Sequence, residues 1–314
     1  MSNFFHHFAL ASPLFLLVLL GYALGRSERW PEAVGEALGR FAYTVAMPAM
    51  LFRMMSDFSR LPSVDVRLLL AFFGGCLVVF VIGRLVARSL FRLDGVAQSV
   101  FALGGVFSNN VMLGIAIAKT TLGPAALPAV SLVIVFNALI LWTLVTVSVE
   151  WARHGEFSVR GFGKTARGVL TNPIVASILA GTLWGFAGIP LPQFIDVPLE
   201  MLGHGAVPFS LVALGMGLAA YRISEGMNQS LAICAIKLGV QPLVVWLLAL
   251  ALGLPPLETQ AVTLLASLAM GINVYMMAQQ FRSLQGPIAT GMVLSTLLSS
   301  LTTPLVLTLT GGGN

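Results

Sequence analysis

The chain has 314 residues, of which 57% are hydrophobic and only 9% are charged. With a mean hydropathy of +0.93, this composition excludes an ordinary soluble domain and indicates a polytopic membrane protein. The formal charge of +5 does not indicate a nucleic-acid partner, because the cations lie in short connections between apolar runs, as membrane topology requires.

Ten apolar segments follow one another along the chain, each close to the roughly 20 residues that cross a bilayer as a helix. The first lacks a basic n-region and a cleavage site, so we expect it to be retained as a transmembrane helix. We therefore predict an all-α integral membrane protein, a single transmembrane unit over residues 1–314. The predicted segments are Phe8–Gly25, Val34–Met55, Leu68–Leu90, Ala97–Lys119, Ala125–Val149, Gly168–Ile189, Pro198–Tyr221, Asn228–Leu252, Glu258–Phe281 and Pro287–Thr310.

Two of these segments are interrupted by glycine and polar residues. Gly104–Gly114 interrupts the fourth segment, and Ser267–Gln280 interrupts the ninth. Backbone groups freed by a broken helix need other partners in hydrocarbon, so such breaks are tolerated only inside protein or beside a cavity. A pair of interrupted segments at corresponding positions of two halves is typical of the central site of a transporter.

The two halves of the chain, residues 1–167 and 168–314, share short matches in order, including Cys76 with Cys234 and Asn109 with Asn273. Each half has five segments, an odd number, so the second half enters the membrane from the opposite side. The sequence therefore predicts a five-plus-five inverted repeat.

The loop charges predict the orientation. With the N-terminus outside, eleven of the 17 Lys and Arg residues fall in inner connections and four fall in outer ones. The longest connection, residues 150–167, is basic and is expected to be cytoplasmic. Because cytoplasmic loops are richer in Lys and Arg, both termini are predicted to lie outside, on the side opposite the cytoplasm.

The interruptions supply the candidate site for an anion. Two half-helices that begin near each other present unpaired N–H groups and about half a positive charge each, which together match one carboxylate. Asparagine adds hydrogen-bonding groups without a buried ion, although these side chains could equally satisfy only the freed backbone. The predicted substrate-binding residues are Ser108, Asn109, Asn110, Gly271, Asn273, Tyr275 and Lys237.

Two interpretations remain open for Lys237, and two for the pair of His204 and Glu200. Lys237 lies about 13 Å of helical rise from the inner surface, so it either supplies a second positive charge at the site or extends toward the headgroups. His204 lies four residues after Glu200 on one helical face, which suits either proton coupling or an interfacial hydrogen bond. With four histidines in the chain and no metal spacing, no metal site or cofactor is expected.

Several stretches, in this order along the chain, together carry a resemblance to a known family. They are Ala46-Met47-Pro48-Ala49-Met50-Leu51-Phe52, Ser108-Asn109-Asn110 with Gly114, Thr171-Asn172-Pro173-Ile174, Ala206-Val207-Pro208, Leu214-Gly215-Met216-Gly217, Lys237-Leu238 with Pro242, and Asn273 with Ala278-Gln279-Gln280. The chain resembles the auxin efflux carrier family, whose bacterial members include permeases for malonate and related organic acids. The resemblance implies ten helices like those of bile-acid symporters and sodium/proton antiporters, with helices four and nine broken and crossing. It also implies a scaffold over residues 8–55 and 168–221 and a moving transport part over residues 68–149 and 228–310.

The chain departs from this family at the breaks, because neither the fourth nor the ninth segment contains the proline that members usually carry there. Glycine and asparagine would have to interrupt these helices instead. The resemblance nevertheless leads us to expect a secondary active or facilitative carrier for a small organic anion, auxin-like or malonate-like, working by an elevator-type movement. It also implies a bacterial cytoplasmic (inner) membrane, which would place both termini on the periplasmic side.

The expected partners are the organic anion, membrane lipid and a second copy of the chain bound through the scaffold helices. A sodium-coupled bile-acid-type symporter remains an alternative on fold alone. An intramembrane enzyme is less favoured, because the sequence has no His-Glu-x-x-His or Gly-x-Ser-x-Gly motif. A channel is disfavoured too, because no ring of charges or repeated carbonyl filter is visible.

Overall fold

The computed structural model describes residues 2–57, 65–154, 171, 173–219 and 226–310. Within these ranges all regular elements are helical, and the one isolated β-bridge joins Ser108 to Met270. The helices are α1 (Ser2–Gly25), α2 (residues 32–56), α3 (Arg67–Ser89), α4 (Gly95–Gly104), α5 (residues 110–121), α6 (Leu127–His154), α7 (Pro173–Phe186), α8 (Gln193–Ala219), α9 (Met227–Ala251), α10 (Pro256–Ser267), α11 (Ile272–Phe281) and α12 (Gln285–Thr310).

Five of these helices, α3, α6, α8, α9 and α12, are long and apolar enough to cross a membrane. Several shorter apolar helices accompany them, among them α4 and α7. Their exposed surfaces carry many large apolar side chains, such as Leu183 and Phe194, which suit contact with lipid rather than water. The all-helical prediction is confirmed at this level, and the chain is a multi-pass membrane protein.

Three π turns, each five residues long, widen α2, α5 and α9. In α2 the turn Ala42–Ala46 lies just before Pro48, and in α9 the turn Ile236–Val240 lies just before Pro242. Proline cannot donate to the preceding turn and its ring crowds that turn. A wider turn relieves both problems, so each helix continues past its proline.

Some helices begin or end at other residues than the predicted apolar segments. α8 begins at Gln193, five residues before the predicted start, and α7 ends at Phe186. The helix α6 extends to His154, so the first residues of the 150–167 connection are helical. Residues 155–167 of that connection, residues 168–170 at the start of the sixth segment and Tyr221 at the end of the seventh lie outside the described residues.

The helices pack in two groups, which contact each other mainly where α1 lies against α12 and α5. In the first, α1 lies against α8, and α2 lies against α7 and α8. Small residues permit this closeness: a Cβ added to Gly181 would lie 2.5 Å from the Phe52 carbonyl oxygen, and one added to Gly215 would overlap the Val18 carbonyl oxygen. In the second group α3 packs on α4 and α9, α12 packs on α9 and α10, and α6 packs on α4 and α10.

Candidate functional site

The fourth segment is broken between α4 and α5. α4 ends at Gly104, and α5 begins at residue 110 after Asn109, whose side-chain oxygen accepts a hydrogen bond from the Met112 N–H at 3.4 Å. Asn109 therefore acts as an N-cap, which is how asparagine favours a helix start over a helix interior. Gly104 and Gly105 serve close packing, since a Cβ on either would come within 2.9 Å of an isoleucine of α9.

The ninth segment breaks in the same manner between α10 and α11. α10 ends at Ser267, Leu268 is extended with φ −70° and ψ 159°, and α11 begins at Ile272. The two linkers pair antiparallel: the Asn109 N–H donates to the Ala269 carbonyl at 2.9 Å, and the Gly271 N–H donates to the Phe107 carbonyl at 2.9 Å. Two interrupted helices thus meet through their backbones.

The backbone groups at the start of this crossing are bonded by two side chains of α9. The Lys237 Nζ donates to the Ala266 carbonyl at 2.7 Å and to the Gln241 Oε1 at 2.7 Å, and the Gln241 Nε2 donates to the Val106 carbonyl at 2.8 Å. Lys237 is fully buried, so it does not extend toward the headgroups. The Ala266 carbonyl lies in the last turn of α10, and the Val106 carbonyl lies in the turn just past α4. The helix itself provides no donor for carbonyls at such an end.

Side chains of α12 complete the second linker. The Thr303 hydroxyl donates to the Ser267 carbonyl at 3.1 Å, and the Ser295 hydroxyl accepts from the Met270 N–H at 3.1 Å. All four residues are buried. The freed backbone of the linkers is therefore paired inside the protein, which is the condition for irregular structure at membrane depth.

Two buried side-chain atoms of the crossing remain without a partner among the described residues. They are the Ser108 Oγ and the Asn110 Oδ1, on residues only 1% and 3% exposed. The Asn110 Nδ2 donates to the Asn137 Oδ1 of α6 at 3.3 Å. A buried polar atom left unpaired lowers the stability of the protein by about 1–3 kcal/mol. These two atoms are therefore suited to contact a polar ligand.

The predicted site residues therefore divide between two places in the fold. Ser108, Asn109, Asn110 and Gly271 lie together at the crossing, where a Cβ on Gly271 would lie 3.1 Å from the Ser108 carbonyl oxygen. Asn273 and Tyr275 are half-buried on the first turn of α11. The ends that meet are the N-termini of α5 and α11, whose dipoles favour a negative charge.

The comparisons with known proteins bear on what these broken helices serve. A family profile described as "Membrane transport protein" matches residues 8–307. The chain belongs to this family. The predicted resemblance to auxin efflux carriers, in their malonate-type branch, is confirmed.

A similar member of the membrane transport protein family is known from Rhizobium meliloti (strain 1021), where it is named "Putative malonate transporter". The two chains are 28% identical over 299 residues, which cover 92% of this chain and 91% of the relative. The likeness thus extends across both broken helices.

This membrane transport protein also has an ion cluster at the N-terminal end of α8, away from the crossing. Arg53 of α2 contacts Asp196 at 2.6 Å and Glu200 at 3.3 Å. The His204 side chain is 77% exposed, and its Nε2 lies 3.9 Å from the Glu200 Oε1. Arg53 and Asp196 border a cavity of about 680 Å³ that also touches Pro124, before α6, and the turn after α7.

Sequence reasoning missed several residues of these sites, among them Asn137, Gln241 and Asp196. Asn137 is the only carboxamide residue of α6, and Gln241 lies in the apolar middle of α9, well past Asn228 and Gln229 at its start. A polar side chain amid apolar residues is costly in a membrane unless it is paired, and that signal was present. Asp196 lies 143 residues from Arg53, so nothing local indicated the pairing.

Proposed function

We propose that this protein carries a small organic anion, a carboxylate of the malonate kind, across the bacterial cytoplasmic membrane. The observation that carries the proposal is the antiparallel meeting of two interrupted helices at Ser108 and Met270. The helices α5 and α11 both begin there, and their two N-termini together provide about one unit of positive partial charge. Family membership supports a transport function, and the name of the R. meliloti relative supports this substrate class.

The substrate would bind at the ends of α5 and α11, with contacts from Ser108, Asn109, Asn110, Gly271 and Asn273. The unpartnered Ser108 Oγ and Asn110 Oδ1 support this placement. The Ser108 hydroxyl would donate to a bound carboxylate, and a water that accompanies the carboxylate would donate to the Asn110 Oδ1. Uncharged donors bind an anion without leaving a fixed buried charge in the empty site.

We propose further that transport proceeds by an elevator-type movement within a five-plus-five inverted repeat. The two packing groups support this division, since α8 packs on α1 and α2 and α2 packs on α7, while the broken helices pack with α3, α6, α9 and α12. The contacts of α1 with α12 and α5 would be the surface along which the two groups slide. The first group would be the fixed scaffold and the homodimer surface, and the second would move with the substrate. Both termini would lie on the periplasmic side.

The test is uptake and binding by the purified protein. Malonate should raise its Tm, and liposomes that contain it should take up labelled malonate saturably and competably. Ser108→Ala should lose the malonate-induced shift while keeping the ligand-free Tm. Ser210→Ala is the matched control, since Ser210 is equally buried but bonds only to the Ala206 carbonyl within α8.

A wild-type protein that neither binds nor takes up any small mono- or dicarboxylate would overturn the proposal. Non-saturable flux would identify a channel, and a chemically altered product would identify an enzyme. An equal loss of the malonate shift in Ser108→Ala and Ser210→Ala would remove Ser108 from the site.

A further inference from the structure

Lys237 is a buried basic group without an acidic partner. It is 0% exposed, and no carboxylate of the described residues lies within the 4 Å of an ion pair; its Nζ donates to two neutral oxygens, the Ala266 carbonyl and the Gln241 Oε1. An unpaired charge in a low-dielectric interior is expensive unless dipoles replace water around it. The surrounding dipoles therefore determine what this side chain does.

Those dipoles are the C-terminal ends of the two broken helices. Ala266 is the penultimate residue of α10, and Val106, bound through Gln241, lies two residues past the end of α4, in the turn that closes that helix. Each helix C-terminus has roughly half a negative charge on its unpaired carbonyls. Two such ends amount to about one negative unit, and one ammonium balances them.

The arrangement complements the proposed substrate site. N-termini of α5 and α11 face one position and present positive partial charge, while C-termini of α4 and α10 end nearby and present negative partial charge. Oxygen atoms of backbone carbonyls and carboxamides are the ligands that hard metal cations take. In this protein two such oxygen atoms accept hydrogen bonds from a lysine instead.

We propose that the Lys237 ammonium is a built-in cation that clamps the C-terminal ends of α4 and α10, in the place where a bound monovalent metal ion would otherwise be needed. Lys237 is thus a positioning residue and not a substrate contact. It follows that the empty protein and its carboxylate complex do not depend on sodium. The clamp itself is independent of the transport activity, and only its consequence for ligand binding rests on the proposed function.

The first arm of the test measures stability without any carboxylate. The wild-type Tm should be the same in sodium chloride and in choline chloride of equal ionic strength. Lys237→Ala should lower the Tm, and methylammonium or ethylammonium present from extraction onward should restore part of the loss. Tetramethylammonium and ethanol at the same concentration should not, because the first donates no hydrogen bond and the second has no charge.

Val245→Ala is the matched control on the same helix. Val245 is fully buried and contacts Gly75 of α3, so its truncation should lower the Tm through a cavity without any response to alkylammonium ions. If Lys237→Ala does not fold, Lys237→Met and Gln241→Leu, singly and together, replace it. The decrease in Tm of the double variant should be smaller than the sum of the two single decreases, because both substitutions disrupt the same clamp.

The second arm measures malonate binding below the Tm of each variant. Lys237→Met should weaken binding at least tenfold, and Lys237→Arg, which keeps the charge and the donors, should regain most of it. The proposal is overturned if Lys237→Met matches the wild type in Tm, if ethanol rescues Lys237→Ala as well as ethylammonium does, or if wild-type stability requires sodium. A wild type that ignores malonate but shows cation-specific rescue refutes the proposed function and leaves the clamp standing.

Discussion

Asn109 has two roles at the residue scale, because its side chain caps α5 while its backbone N–H bonds to Ala269 in the other linker. Asn109→Ala removes the cap and should lower the free energy of unfolding by about 0.5–2 kcal/mol. Asn109→Ser keeps an oxygen that accepts the Met112 N–H, so its Tm should stay near that of the wild type. Thermal unfolding of the two ligand-free variants in detergent checks this, and equal destabilisation would show that the cap contributes nothing.

The salt bridge between Arg53 and Asp196 belongs to the same scale. Both side chains are about one-third exposed, so the pair is worth only about 0.2–1 kcal/mol and is screened by salt. Asp196→Asn should therefore lower the Tm slightly in low salt, and the difference from the wild type should shrink in about 1 M salt. Arg53→Met with Asp196→Asn should lose no more than the larger single loss, and fully additive losses would show that the two residues stabilise the protein separately.

At the element scale the described helices are built around close contacts that only glycine allows. In α8, Gly215 lies against the Val18 carbonyl of α1, whereas Gly217, one half-turn further on, has no neighbour within 4 Å of the position that an added methyl group would take. Gly215→Ala should overpack the α1–α8 contact and lower the free energy of unfolding by about 1–3 kcal/mol. Gly217→Ala should be neutral or stabilising by up to about 1 kcal/mol, because alanine favours a helix.

Comparative thermal unfolding of these two variants tests the contact directly, because the substitution and the helix are the same. A larger Tm loss in Gly217→Ala than in Gly215→Ala would contradict the packing of α1 on α8.

The element scale also marks the limit of what the sequence could predict. Apolar length, the Gly-Gly and Asn-Asn pairs of the fourth segment, and Gly271 with Asn273 in the ninth predicted which helices break. Polar backbone at membrane depth is tolerated in few places. The sequence did not predict the π turns, since Ile236–Val240 is as apolar as an ordinary helix turn except for Lys237. In place of the proline that family members usually carry at each break, this chain has the Asn109 cap and an extended Leu268. No hydropathy pattern distinguishes these two features.

At the scale of the whole molecule, residue types were easier to predict than their partners. The sequence predicts Ser108, Asn109 and Asn110 as a site because two adjacent asparagines are uncommon in the middle of a membrane helix. The residues that hold this part of the chain come from distant parts of the sequence. Gln241, for example, donates to the carbonyl of Val106, from which it is separated by 135 residues. Which helices lie side by side depends on packing of apolar surfaces that look alike in sequence, so these contacts required the fold.

The orientation of the whole molecule is a prediction that follows from charge alone. Positive loops stay in the cytoplasm, so the turn between α1 and α2, with Arg26 and Arg29, should be inside, and the turn between α7 and α8 should be outside. Glu28 and Ala187 are exposed in these two turns, whereas the native Cys76 and Cys234 are buried. A membrane-impermeant maleimide should therefore label Ala187→Cys in intact spheroplasts and Glu28→Cys only after lysis, with the wild type unlabelled in both. The reverse pattern would place both termini in the cytoplasm and would put the Arg53 cluster and its cavity on the inner face.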